Sequence, residues 1–209
     1  GGAGGVADQR DAVLCRPPAG TDARCVAASS VEEELAQRLG VAYYDRDILI
    51  DLIADDCGLT KETVAGLMEH RTSSLLYEMA TPSQTNPLEE QVFISKTRIV
   101  GKLAEQGSMV IVGACADYIL RDKENLLKVF LYGSPETRID RITKVYKTTD
   151  YLTPGQLKSM DRKRADYYRF FTSYKWGERS NYDILVNTDV GLNNATDMLE
   201  TICRNRFLK

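Results

Sequence analysis

Histidine is nearly absent from this chain of 209 residues: His70 stands alone, in a helical stretch with no motif around it. A Ser–His or Cys–His nucleophile system would have to depend on that one residue, so such chemistry is not expected. The five cysteines are odd in number, scattered and without CxxC spacing, which argues against a disulfide framework or a zinc site. Long apolar runs are missing too. The longest, at 109–112 and 129–131, are strand-sized, far below the roughly 20 residues that span a bilayer. No basic segment followed by an apolar one marks the amino-terminal stretch, so no signal peptide is expected. A reducing, cytoplasmic setting is the simplest reading. There is no basic excess: the net charge is −3, which argues against a general nucleic-acid binder. Finally, Gly-Lys-Ser/Thr occurs nowhere in the chain.

What is present fits one soluble domain. With 43% hydrophobic and 27% charged residues, the chain is long enough for one well-buried core and too short for two comfortable domains. Residues 1–28 differ from the rest, being rich in Gly, Ala, Arg, Pro and Cys. Residues 1–10 are read as a flexible tail and 11–209 as a single domain. Local charge is uneven. From Asp45 to Asp56 there are five Asp and one Arg; from Lys158 to Lys175 there are six Lys or Arg against two Asp. A basic segment in an acidic protein suits an anionic small ligand or a partner patch, and equally a solvated face.

From Ser30 onward strands and helices alternate. Ser30 and Glu33 form a capping-box pattern, with Val31, Leu35 and Leu39 on one helical face until Gly40. A short strand at 41–44 ends at Asp45. Helices are predicted at 47–55, 61–79 and 89–105, with a polar break at 81–87. Strands are predicted at 109–112, 127–132 and 184–186, and a last helix at 192–203. Ser134-Pro135-Glu136 reads as a helix start. The alternation predicts an α/β fold with a parallel sheet and right-handed crossovers. Ligands bind beyond the carboxyl ends of such strands, which directs attention to Asp45, Gly113 to Asp117, and Gly133 to Ser134.

The strongest local pattern is Asp161-Arg162-Lys163-Arg164-Ala165-Asp166-Tyr167-Tyr168-Arg169. On a helix Arg162, Asp166 and Arg169 share one face, with Leu157, Met160, Tyr168 and Phe171 roughly opposite. Two guanidinium groups flanking a carboxylate suit a phosphorylated sugar, because Arg binds phosphate oxygens bidentately and Asp accepts from ribose hydroxyls. The competing reading is a surface Arg–Asp–Arg ladder. Arg164 projects toward the apolar side, so either the helix is interrupted there or this Arg reaches inward toward a ligand. Cys115 is a buried packing residue or a reactive thiol, and Trp176 a loop anchor or a base-stacking surface. Lys144 and Lys147 are lid cations or an ordinary solvated face.

These stretches resemble the cytidylate-kinase-like family of P-loop nucleoside monophosphate kinases. The resemblance rests on Leu39-Gly40-Val41-Ala42-Tyr43-Tyr44-Asp45, on Val110-Ile111-Val112-Gly113 with Cys115-Ala116-Asp117-Tyr118-Ile119-Leu120, and on Val129-Phe130-Leu131-Tyr132. It continues through Arg162 to Tyr168 and Lys175-Trp176-Gly177 to Asn181-Tyr182-Asp183. It implies a P-loop-NTPase-like three-layer α/β sandwich with a parallel sheet of about five strands, a helical acceptor side at about 47–105 and a lid at about 144–180. It further implies phosphoryl transfer from ATP, with Mg²⁺ bridging the donor phosphates, to CMP or dCMP. Arg162 and Arg169 would hold the transferring or acceptor phosphate, Asp166 the sugar and Asp45 the base; Arg138 and Arg141 would lie toward the donor nucleotide. No metal-ligating residue is assigned. The implied partners are small-molecule nucleotides, with neither nucleic acid nor membrane, and a homodimer is left open.

Two departures stand against that pattern. After Val13-Leu14-Cys15 the chain reads Arg16-Pro17-Pro18-Ala19-Gly20-Thr21-Asp22-Ala23-Arg24. A phosphate loop needs glycines and backbone N–H groups, and here two prolines offer none. Gly20, Thr21 and Arg24 are what remains for the donor phosphates. The second departure is Ala114, where the family segment typically carries an arginine aimed at the acceptor phosphate. Together they open an alternative: a nucleotide-binding pseudokinase with a degenerate P-loop, acting as a sensor or partner.

Overall fold

The structure, a computed structural model, describes residues 10–15, 30–69, 87–145 and 153–207. Along the chain run β1 (Arg10–Cys15), α1 (Val31–Leu39), β2 (Ala42–Tyr44), α2 (Arg46–Cys57), α3 (Lys61–Glu69), α4 (Pro87–Gln106) and β3 (Met109–Val112). They are followed by α5 (Ala116–Ile119), β4 (Leu126–Tyr132), α6 (Pro135–Val145), α7 (Pro154–Thr172), β5 (Ile184–Asn187) and α8 (Leu192–Phe207). Short 3₁₀ turns sit at Arg179–Asn181 and Thr188–Val190.

Local chemistry accounts for the boundaries. Ser30 Oγ accepts from the Glu33 N–H at 3.2 Å and starts α1; Gly40 ends it in the left-handed conformation, φ 66°. Asp45 caps α2 in the same way, so that helix begins one residue earlier than periodicity alone suggested. The helix predicted at 61–79 is described as far as Glu69. His70, the break at 81–86 and Lys147 lie outside the described residues.

Strand order across the sheet is β2-β3-β1-β4-β5. Parallel pairing joins β2 to β3 and β4 to β5, whereas β1 runs antiparallel to both β3 and β4. The expected parallel sheet of about five strands is thereby corrected to two parallel pairs around a reversed strand. The physical reason is that a run such as Ala12-Val13-Leu14-Cys15 reads alike in either direction; side-chain period fixes the face of a strand, not its polarity. Since β3 and β4 are each antiparallel to β1, the four strands β2, β3, β4 and β5 all point the same way. Their carboxyl ends, and so Asp45, Gly113 and Gly133, share one edge. Cys15 pairs with Met109 and Leu126, the first residues of β3 and β4. The chain therefore leaves β1 at the opposite edge.

All four residues of β3 are buried, as a strand covered on both faces requires. Met109 and Ile111 pack with Leu49 and Ile53 of α2, Val64 of α3, and Val92 and Val100 of α4. Val110 packs on the other side with Leu127, Val129, Leu131 and Val186 against α1 and α8. Helices thus cover both faces of a mixed α/β core. Among the described residues no helix is long and apolar enough to cross a membrane, and Cys57, Cys115 and Cys203 are free thiols.

Candidate functional site

Helix α7 carries the charged pattern and is built to start and stop sharply. Thr153 and Gln156 form a reciprocal capping box, with Pro154 in the first turn. Ser173, at φ 60°, ends the helix by donating its N–H to Arg169 O at 2.8 Å. The helix is continuous through Arg164. That guanidinium is half-buried and donates to Asp161 Oδ1 at 3.5 Å, so the expected interruption is absent.

Arg162, Asp166 and Arg169 are all exposed on α7. Among the described residues none of the three side chains makes a hydrogen bond or ion pair. The Arg–Asp–Arg ladder is therefore not formed. Two guanidinium groups, each about one turn from the carboxylate between them, are exposed in the order that an anionic, hydroxylated ligand can use.

The opposite side of α7 is held by two consecutive tyrosines. Lys96 of α4 donates from Nζ to Tyr167 Oη at 2.7 Å, with Cys115 Sγ at 4.0 Å. Lys96 is 0% exposed, and its ammonium lies 4.6 Å from the Phe93 ring centroid and 4.5 Å from that of Tyr167. Burial works against that charge, but Cys115 and Tyr167 together outweigh it and hold the lysine above its ordinary pKa. Burial also pushes the Tyr167 phenol up, Lys96 opposing. Tyr168 Oη donates to Asp117 Oδ2 at 2.5 Å. Asp117 is 3% exposed and its Oδ1 has no partner among the described residues. Burial raises its pKa, outweighing the Tyr168 hydrogen bond.

Asp117 follows an unusual turn. Gly113, Ala114 and Cys115 are successive left-handed residues, φ 67°, 57° and 58°, closed by Ala116 N–H to Gly113 O at 3.0 Å. For residues bearing a Cβ this region is unfavourable by roughly 1–2 kcal/mol each, and such strain concentrates at functional sites. Cys115 is buried against Tyr167 and Tyr168, the packing role rather than the reactive one. Trp176 meets Phe130 edge-on at 5.4 Å, the anchoring role. A Cβ at neighbouring Gly177 would come within 3.1 Å of the Phe130 ring.

At the carboxyl ends of β4 and β5, Ser134 N–H donates to both Asp189 carboxylate oxygens at 3.1 and 3.0 Å, and Thr188 Oγ1 to Tyr132 O at 3.1 Å. A Cβ at Gly133 would lie 2.9 Å from Thr188 Oγ1, which is why glycine stands there. Arg138 lies buried on α6 with its guanidinium in a bidentate pair with Asp161. Arg141 donates to Thr188 Oγ1 at 3.4 Å. Asp45 Oδ1 accepts from the Ile48 N–H at 2.9 Å. Gly20, Thr21 and Arg24 lie outside the described residues. Among the described residues no group of three or more His, Cys, Asp or Glu could hold a metal ion.

Sequence reasoning missed Lys96, and it singled out Asp117 and Asp161 only as members of the stretches 113–117 and 161–169, with no role for either. For Lys96 a signal existed: Val92, Lys96, Val100 and Ala104 recur at four-residue spacing and all are buried, so the lysine interrupts an apolar stripe.

No curated protein matches the chain. The fold is similar to the crystal structure of an uncharacterized protein from Eubacterium ventriosum, with a TM-score of 0.61 and 23% identity over 84% of this chain and 90% of that one. The model of the cytidylate kinase-like family matches residues 25–190, beginning after β1 and after Gly20, Thr21 and Arg24. The chain belongs to the cytidylate kinase-like family.

Proposed function

We propose that this protein is a nucleoside monophosphate kinase that transfers the γ-phosphoryl group of ATP to CMP or dCMP. The observation that carries the reading is the exposed face of Arg162, Asp166 and Arg169, unpaired among the described residues. A family of kinases needs little covalent chemistry from its protein: it aligns two anions and neutralises charge on the transferring group. An acceptor phosphate oxygen attacks the γ-phosphorus, the bond to the β–γ bridging oxygen breaks, and ADP leaves. Arg162 and Arg169 hold the acceptor and transferring phosphate oxygens, Asp166 accepts from the sugar hydroxyls, and Asp45 addresses the base. Mg²⁺, held chiefly by the nucleotide phosphates, supplies charge neutralisation on the donor side. Gly20, Thr21 and Arg24 are the proposed donor-phosphate contacts, and Arg138 fixes α6 against α7 through Asp161. The P-loop-type sandwich belongs to this reading and draws support from the strand order and from the common direction of β2, β3, β4 and β5. The free thiols support a reducing, cytoplasmic setting.

A second reading is favoured by the donor side. The family match begins at residue 25, β1 is reversed, and Ala114 has no guanidinium to offer. These features support a protein that binds the acceptor nucleotide without turnover. Isothermal titration with CMP and with ATP–Mg²⁺, followed by an ADP-release assay on the same preparation, separates the two. Binding of both with ADP release supports the kinase. CMP binding without ADP release supports the pseudokinase, and no nucleotide binding at all sinks both.

A further inference from the structure

We propose that Lys96 and Asp117 are positioning residues that set the rotation of α7, and with it the aim of Arg162, Asp166 and Arg169, acting through Tyr167 and Tyr168. The inference rests on the nucleotide-binding reading of that face and names two residues outside it. Neighbouring residues on a helix project about 100° apart. Two hydrogen bonds at successive tyrosines, one accepted by Tyr167 from Lys96 of α4 and one donated by Tyr168 to Asp117 of α5, therefore fix the helix against rotation in both senses. On the same wheel the three charged residues fall about 180° from the tyrosine pair.

Packing alone does not call for these polar groups. Lys96 occupies a fully buried stripe position between Val92 and Val100, where an aliphatic side chain would escape the desolvation of an ammonium. Asp117 is buried with one oxygen unpartnered among the described residues, and phenylalanine would fill the space of either tyrosine ring. Directional bonds at that cost serve orientation. A rotation of about 20° moves groups 5–6 Å from a helix axis by roughly 2 Å. Misplacement of about 1 Å already costs on the order of a hundredfold in rate where reacting groups must align.

The test is CMP titration of the full chain with Tyr168→Phe, Asp117→Leu, Asp117→Asn and Lys96→Met, with thermal unfolding measured alongside. Tyr168→Phe, Asp117→Leu and Lys96→Met are expected to weaken CMP binding about tenfold in protein that remains folded. Asp117→Asn, which still offers an acceptor to Tyr168, is expected to recover most of that loss. In an Arg162→Ala, Arg169→Ala background Tyr168→Phe is expected to have no further effect. Unchanged affinity in the folded single variants would overturn the proposal. If the unsubstituted protein binds no CMP, the nucleotide reading fails. The clasp is then decided by the distance between spin-labelled unnatural residues at positions 166 and 189. A distance that shifts in Tyr168→Phe supports it, and an unchanged distance overturns it.

Discussion

Arg138 and Asp161 face each other between α6 and α7 through two parallel hydrogen bonds of 2.8 and 2.7 Å. The guanidinium is almost fully buried and the carboxylate largely so. Breaking such a pair from one side leaves a buried charge without its counterion, a loss of about 3–5 kcal/mol. Asp161→Asn is therefore expected to lower unfolding stability by about 3 kcal/mol in urea denaturation. A change below about 0.5 kcal/mol would mean that α6 and α7 do not depend on this pair.

The exposed trio predicts the opposite balance. Arg169 carries no structural bond from its side chain among the described residues, so Arg169→Ala should leave stability within about 0.5 kcal/mol. Loss of one charge-assisted contact to phosphate should cost about 1.5–3 kcal/mol of CMP binding. That is roughly tenfold to more than a hundredfold in Kd by titration. Equal affinity in the variant would move the acceptor site away from α7.

Much of this was readable in advance, and the part that was not has physical causes. Some helix starts announced themselves, as at Ser30 and at Ser134-Pro135-Glu136, whereas the caps at Asp45 and Thr153 emerged only in the structure. The shared face of Arg162, Asp166 and Arg169 follows from helical spacing, but whether they pair depends on rotamers that spacing does not encode. The direction of β1 was hidden because a short apolar run has no polarity. Arg138 was read toward a ligand, whereas Asp161, 23 residues later in the chain, holds it in the interior. Partners brought together only by folding leave no local trace. Lys96 is the exception, since its place in an apolar stripe could have been noticed.

Asp117 gives a pH dependence of definite sign. Burial raises its folded pKa above the unfolded value of about 3.9. The group therefore contributes stability that is fully present below the ordinary aspartate range and is lost as pH rises through its folded pKa. Asp117→Asn removes that titration. In thermal unfolding from pH 4 upward, the stability of the unsubstituted protein relative to Asp117→Asn should fall as pH rises. Parallel curves over that range would mean that Asp117 is not desolvated in the folded protein.

Ala114 separates backbone strain from missing charge at a single position. With φ at 57°, Ala114→Gly should relieve left-handed strain and stabilise the fold by about 1 kcal/mol, without affecting nucleotide binding. Ala114→Arg keeps the strain and restores a guanidinium at the carboxyl end of β3, where the phosphate of an acceptor nucleotide is proposed to lie. It should tighten CMP binding by roughly tenfold or more. If ADP release then appears in a protein that had none, the donor site was intact and only the acceptor charge was missing. If affinity rises while ADP release stays absent, the defect lies on the donor side, with the reversed β1 and the residues that follow it. An arginine at 114 that changes neither would mean that the turn after β3 is not part of the acceptor site.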